Sequence, residues 1–156
     1  AISGEWGHNP LSLLAYQSMP ENDLPVLGHP RGCYCGRNDC VETWLAGPAF
    51  EQSYLALAGQ PLKAIDIAAL IDRGDAQATA LFHQYCNLLA LALSTVINII
   101  DPAVIVLGGG MSNIQRLYEL VPHYLPRYVF SDHVNTRIKQ AVHGDSSGVR
   151  GAAWLW

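Results

Sequence analysis

The chain has 156 residues, half of them apolar and 14% charged, with a formal net charge of −4. That is about the length of one ordinary domain, with enough apolar material for a real core, which excludes a disordered segment or a solvent-facing scaffold. Its nine Lys and Arg residues are scattered without a run, which excludes a nucleic-acid surface built on a basic patch.

The longest apolar run, Leu88 to Leu93, is too short to span a bilayer. No basic region precedes a hydrophobic stretch at the start, so no secretory signal is expected and the protein reads as cytoplasmic. The sequence begins with Ala1, enters the motif "GEWGH" at once, and ends in "GVRGAAWLW", which reads as a finished amphipathic helix. It therefore reads as the C-terminal portion of a larger protein.

Residues 1–10 form a short polar, glycine-rich opening. Residues 11–32 hold Pro20, Pro25 and Pro30 with Gly28 and Gly32, and read as a long loop without clear period. A loop of that length in a compact domain needs a tether. The cluster that follows, "RGCYCGRNDCVET", places three of the four cysteines in the pattern C-x-C-x4-C.

From Val41 the pattern turns helical. "CVETWLAG" puts Val41, Trp44 and Leu45 on one face and is broken at Gly47-Pro48. "PAFEQSYLALAG" is a second helix stopped by Gly59, and "AIDIAALIDRG" a third stopped at Gly74. Asp75 then caps the longest element, predicted from Ala76 to about Ile100. Its apolar stripe runs through Leu81, Tyr85, Leu88, Leu89, Ala92, Val96 and Ile99. Asp101-Pro102 ends it, because a residue before proline avoids the helical region.

"AVIVLGGGMSN" is the clearest strand-to-loop signal. Ala103 to Leu107 is a continuous apolar run of the kind buried on both faces of a sheet. Ser112 or Asn113 is then expected to cap a helix over about 114–129, bent or interrupted by Pro122 and Pro126. "TRIKQAVHG" reads as another strand, and "DSSG" leads into a terminal helix. The order of elements is α/β.

The cysteines carry most of the chemistry. Neighbours as close as Cys33 and Cys35 strain to form a disulfide with each other, and three clustered cysteines leave one unpaired. A C-x-C step across a tight turn can instead aim two thiolates at one ion, with Cys40 as a third. Zinc takes four tetrahedral N or S ligands, so a fourth is needed, and histidine is the usual one. His29, four residues before Cys33, is favoured by spacing. His8, closing "GEWGH" three residues after Glu5, is favoured by context. Cys86, inside the long helix among apolar residues, reads as a small buried hydrophobe.

The combination of "GEWGH", "CYCGRNDCVET" and "VIVLGGGMS" resembles the ROK family (repressors, open reading frames and sugar kinases) along the whole chain. "GEWGHNPL" and "HGDSSGVRGAAWLW" are similar to the family's bacterial fructokinases that also act on mannose. The resemblance implies the C-terminal part of an actin-like ATPase (ribonuclease H-like) sugar-kinase fold with a zinc-bound loop. It implies structural zinc on His8, Cys33, Cys35 and Cys40, and sugar-hydroxyl contacts from Glu5, His8 and Glu42. It implies an adenosine-side glycine turn at Gly108, Gly109 and Gly110. Residues 1–47 would then be the sugar-site and zinc segment, and 48–156 the helical and nucleotide-side segment.

The implied activity is ATP- and Mg²⁺-dependent phosphorylation of a hexose, D-fructose first, at its 6-hydroxyl. The family's catalytic Asp would lie in a missing N-terminal portion, so this chain alone would be inactive, and the whole protein is expected to be a homodimer. The other activities within the resemblance are a glucose or N-acetylhexosamine kinase and a sugar-sensing repressor. Two departures stand out. Asp39 occupies a position where the family usually has glycine, a turn that Asp can still serve because it tolerates positive φ. The interval from His8 to Cys33 is longer than the family's common spacing, which keeps His29 as a competing ligand.

Asp145, Ser146, Ser147 and Gly148 read as a helix cap rather than a phosphate site, and Trp154 and Trp156 as packing. His83, His123, His133 and His143 have no partners at recognisable spacing.

Overall fold

In a computed structural model of the chain, describing residues 5–18, 28–143 and Ala153, Asp75 begins the longest element as expected. Its Oδ1 accepts the Ala78 backbone N–H at 2.8 Å, satisfying one of the four orphan donors of a helix start. The helix that follows is the fifth of six named helices among the described residues, after α1 (Leu13–Gln17), α2 (Glu42–Leu45), α3 (Gly47–Ala58) and α4 (Ala64–Asp72).

Helix α5 (Ala76–Ile100) is more deeply placed than its predicted stripe implies. All positions from 85 to 94 are buried, so it is enclosed on every side there. The stripe fails at its end, where Val96 is only half-buried, Ile99 is 83% exposed and Ile97 takes the inward position. The helix has the length and apolarity to cross a membrane, but 72% of its most apolar window is buried inside the protein, which makes it a core helix. It ends at Asp101, in the left-handed region at φ 46°.

Around α5 the core is aromatic and aliphatic. Phe50 packs edge-on against Phe82 and Tyr85, which stack on each other with ring planes 5° apart. Ile67 and Ile71 of α4 are fully buried beside them. The Tyr85 hydroxyl donates to Leu45 O at 3.0 Å and so fastens the end of α2 to the core. Gly47 and Pro48 open α3 as well as closing α2, because proline suits the first turn of a helix. Gly59 stops α3 at φ 70°.

Strands β1 (Val104–Leu107) and β2 (Arg137–Gln140) pair in parallel, with Val104 opposite Arg137 and Leu107 opposite Gln140. The crossover runs through α6 (Leu117–Tyr124), giving a β-α-β unit. The expectation that β1 is buried on both faces is not met, since Val104 is 37% and Val106 60% exposed. Among the described residues β1 has one partner strand, and a two-stranded sheet lacks the layers that would cover both faces.

Three other expectations need correction. The stretch 11–32 is not structureless, since α1 lies in it with Leu13 and Tyr16 buried. The helix after the glycines begins at Leu117, not 114, and neither Ser112 nor Asn113 caps it. Residues 110–113 form a 3-10 turn instead, with the Ser112 hydroxyl donating to Gly109 O at 2.7 Å. Helix α6 does give way, at residue 125, to a further 3-10 turn containing Pro126, as an interruption by proline implies. The helix expected after Asp145 lies outside the described residues apart from Ala153.

Candidate functional site

Two short backbone pairings assemble the site. Residues 9–11 run antiparallel to 39–41, with Leu11 N–H donating to Asp39 O at 2.8 Å and Val41 N–H to Asn9 O at 2.9 Å. Residues 32 and 38 pair across a small loop, in which Cys33 N–H donates to Arg37 O and Gly36 N–H to Cys33 O. The first pairing brings the 3-10 turn Trp6–His8 beside Cys40. The second turns Cys33 and Cys35 back towards it.

His8, Cys33, Cys35 and Cys40 thereby come together, each offering a ligand atom within 4.8 Å of all the others. Cys35 Sγ lies 3.6 Å from Cys40 Sγ, and Cys33 Sγ lies 3.5 Å from His8 Nδ1. All four cysteines are free thiols. Bonds of about 2.0–2.3 Å set the ligands of tetrahedral zinc about 3.3–3.8 Å apart, so the 3.5 and 3.6 Å separations and this three-sulfur, one-nitrogen donor set fit that ion, with the other pairs within 4.8 Å.

The thiols are electrostatically unequal. The Arg37 backbone N–H and hydrogen bonds from its two neighbours pull Cys35 down to about 7. At Cys33 the Cys35 backbone N–H acts downward, but burial and donation to Glu42 outweigh it and push the thiol up to about 12. Burial also raises Cys40. The thiol held lowest, Cys35, is the readiest first ligand, and thiols that bind a cation release their protons as they do so.

His29 is not part of this group. Its Nδ1 lies 2.9 Å from Asp39 Oδ2. Asp39 adopts φ 54°, as its tolerance of the left-handed region allows. Its Oδ1 accepts the Arg31 backbone N–H at 2.9 Å and the Trp44 indole N–H at 3.1 Å.

The Arg31 guanidinium lies over the Trp44 ring at 3.7 Å and donates to Thr43 O and Ser53 Oγ, each at 3.0 Å. This cluster joins the cysteine loop to α2 and α3, and the sequence reading missed it. Aromatic Trp44 two residues after Glu42, with Arg31 two before Cys33, was the only signal.

Glu42 opens α2, one-third exposed, with Oε1 accepting from the Cys33 thiol at 3.1 Å and 3.6 Å from His8 Nδ1. Beside it is an open cavity of about 480 Å³ bordered by Gly28, Arg31, Tyr34, Glu42, Thr43 and Gln52. Glu5 is exposed at the start of the turn carrying His8. Tyr34, between the two cysteines of the C-x-C step, is 85% exposed, and its hydroxyl meets His8 Nε2 at 2.7 Å.

Gly108, Gly109 and Gly110 lie elsewhere in the fold, at the carboxyl end of β1 where ligands of open α/β sheets bind. Gly109 is at φ 82°, ψ 174°, which essentially only glycine adopts, and a Cβ there or at Gly110 would meet open space.

Three thiols and an imidazole that could hold a cation thus sit beside a carboxylate and a cavity, on an α/β fold with a separate glycine turn. The ROK family model matches residues 1–156, and the chain belongs to that family.

It is 40% identical over 154 residues to N-acetyl-D-glucosamine kinase of Escherichia coli O1:K1 / APEC, covering 99% of this chain and 49% of that protein. The chain thus spans about half the length of the curated relatives it matches. Among solved structures it is similar to a ROK hexokinase from Thermus thermophilus, with TM-score 0.73 and 26% identity over 98% of this chain and 47% of that one. A ROK family glucokinase from Streptomyces griseus, in complex with glucose and AMPPNP, gives TM-score 0.76 at 20% identity, over 99% and 51%. The expected actin-like sugar-kinase fold therefore holds at the level of the ROK kinase fold.

Proposed function

We propose that this chain is part of a cytoplasmic, ATP- and Mg²⁺-dependent kinase that phosphorylates a hydroxyl of a hexose-type sugar. The observation that carries the reading is the orientation of His8. Its Nδ1 lies on the cysteine side, 3.5 Å from Cys33 Sγ and 3.6 Å from Glu42 Oε1, while its Nε2 points the other way, to the exposed Tyr34 hydroxyl. A ring held by a cation through one nitrogen has a fixed tautomer and offers the other to a hydroxyl, and a carboxylate beside it accepts a charge-assisted hydrogen bond.

In this reading His8, Cys33, Cys35 and Cys40 hold a structural zinc. With four protein ligands that ion keeps no open position for Lewis-acid work, and it serves to fix the loop and the imidazole. Residues 1–47 supply that zinc and part of the sugar site through Glu5, His8 and Glu42. Residues 48–156 supply the adenosine side through Gly108, Gly109 and Gly110. Phosphoryl transfer also needs a base to take the hydroxyl proton, and the residues proposed here bind and orient rather than fill that role.

The choice of sugar is open to N-acetylglucosamine ahead of fructose. The curated relative bears the name of an N-acetyl-D-glucosamine kinase, and the structural neighbours those of a hexokinase and a glucokinase. Nothing beyond the sequence wording favours fructose. The test is coupled ADP release by the complete protein with N-acetylglucosamine, glucose, mannose and fructose. Turnover of at least one of these, lost or reduced by about tenfold or more in Glu42→Gln, supports the reading. Absence of turnover with all four overturns it.

A further inference from the structure

His8 Nε2 is already occupied. The Tyr34 hydroxyl sits 2.7 Å from it, with the two rings edge to face, centroids 4.9 Å apart and planes at 83°. An imidazole nitrogen has a single in-plane hydrogen-bonding position. A sugar hydroxyl that uses His8 Nε2 needs the position the phenol now holds.

We infer that Tyr34 is a specificity-determining residue of the sugar site, whose phenol holds the place of one sugar hydroxyl on His8 Nε2 and is displaced when sugar binds. This rests on the sugar-site reading of His8 and Glu42. Tyr34 is well placed for such an exchange. It projects from the turn between two cysteines whose backbone is fixed by the Cys33–Arg37 and Gly36–Cys33 hydrogen bonds. Its side chain is 85% exposed, so the ring has solvent to move into. It also borders the cavity beside Glu42, so the displaced ring stays next to the ligand.

The exchange has two consequences. A site whose binding-competent state is only fractionally populated has its apparent affinity reduced by that fraction, so the phenol weakens binding of every sugar that uses Nε2. It also changes the comparison between sugars. A sugar without a hydroxyl at that position leaves the phenol on His8 Nε2 and so escapes the cost that the parent sugar bears.

The test measures sugar dissociation constants by titration calorimetry on the complete, zinc-loaded protein, using the sugar with the highest turnover and its monodeoxy series. In Tyr34→Phe the ring remains and the competing hydroxyl is gone. Affinity for the parent sugar should rise by about two- to tenfold, the scale of one exposed hydrogen bond, and one monodeoxy analogue should lose that gain. Zinc content, checked by elemental analysis, should stay at that of the unsubstituted protein. Tyr34→Ala should also tighten binding.

Unchanged or weakened binding in Tyr34→Phe overturns the inference, as does tightening confined to Tyr34→Ala, which would implicate ring bulk rather than the hydroxyl. Glu42→Gln separates the two levels. If it weakens sugar binding while Tyr34→Phe does not tighten it, only the role of Tyr34 falls. If it leaves sugar binding unchanged, the sugar-site reading falls and the inference with it.

Discussion

His29 Nδ1 lies 2.9 Å from Asp39 Oδ2, and this contact directs the ring away from the cysteines that it precedes by only four residues. Chain spacing and spatial proximity part company here. The histidine nearer in sequence faces a carboxylate, and the one 25 residues before Cys33 faces the thiols.

Metal content should follow that geometry. The purified protein should carry about one zinc, in keeping with one four-ligand site. His8→Ala should weaken zinc binding by more than the 10- to 100-fold typical of an outer-shell change, whereas His29→Ala should retain the ion. Competition with a chromogenic chelator measures both, and the reverse pattern would assign the fourth ligand to His29.

Asp39 should make the site's stability acid-sensitive. Burial alone raises its pKa, but hydrogen bonds from the Arg31 backbone N–H, His29 and Trp44 outweigh that and hold it below the ordinary carboxylate value. A depressed folded-state pKa means the stabilisation is present above the unfolded value of about 3.9 and lost as pH falls through the folded value. Asn keeps the positive φ but not the charge. Asp39→Asn should therefore unfold at lower temperature than the unsubstituted protein at pH 7, with the gap closing below about pH 4. A gap that is constant with pH would show that the charge of Asp39 is not what stabilises the loop.

Gly109→Val should separate nucleotide from sugar chemistry. A β-branched residue at φ 82° is strained by about 1–3 kcal/mol, and the turn must shift to relieve it. If the glycine turn is the adenosine side, ATP affinity should drop by about tenfold or more, while zinc content stays intact. Fluorescent nucleotide titration together with metal analysis checks the pair, and unchanged ATP affinity would remove the glycines from the nucleotide site.

Tyr85→Phe tests the anchor between core and site. The lost hydroxyl leaves Leu45 O without the 3.0 Å bond that holds the end of α2. An orphaned buried acceptor costs about 1–3 kcal/mol. The urea midpoint should fall accordingly with an unchanged slope.

The parts of this fold legible from the residues are those with strong local signals. Asp75 announced α5, Gly59 the end of α3 and Asp101-Pro102 the end of α5, because caps and proline act within a few residues. The α1 segment was not legible, since five residues complete hardly more than one turn and Leu13 and Tyr16 are buried by tertiary contacts. Ser112 looked like a cap, but its hydroxyl is spent on Gly109 O inside a 3-10 turn.

The cysteine pattern indicated a cation site on its own, yet the choice of histidine came from the family resemblance rather than spacing. Arg31 and Trp44 were invisible for a different reason. Their stacking at 3.7 Å depends on how the cysteine loop lies against α2, which no local period encodes.

The backbone pairing of residues 9–11 with 39–41 bears on the unusually long interval between His8 and Cys33. The larger loop that contains that interval is closed by the chain's own ladder, Leu11 to Asp39 and Asn9 to Val41, before any side chain is considered. The position of His8 against the thiols is thus set at the base of the excursion and not by how many residues it contains. Doubling the length of such a closed loop costs only about 0.6 kcal/mol in closure entropy. Changes of length in that excursion outside α1 and the cysteine loop therefore leave in place the ladder that seats His8 beside Cys40.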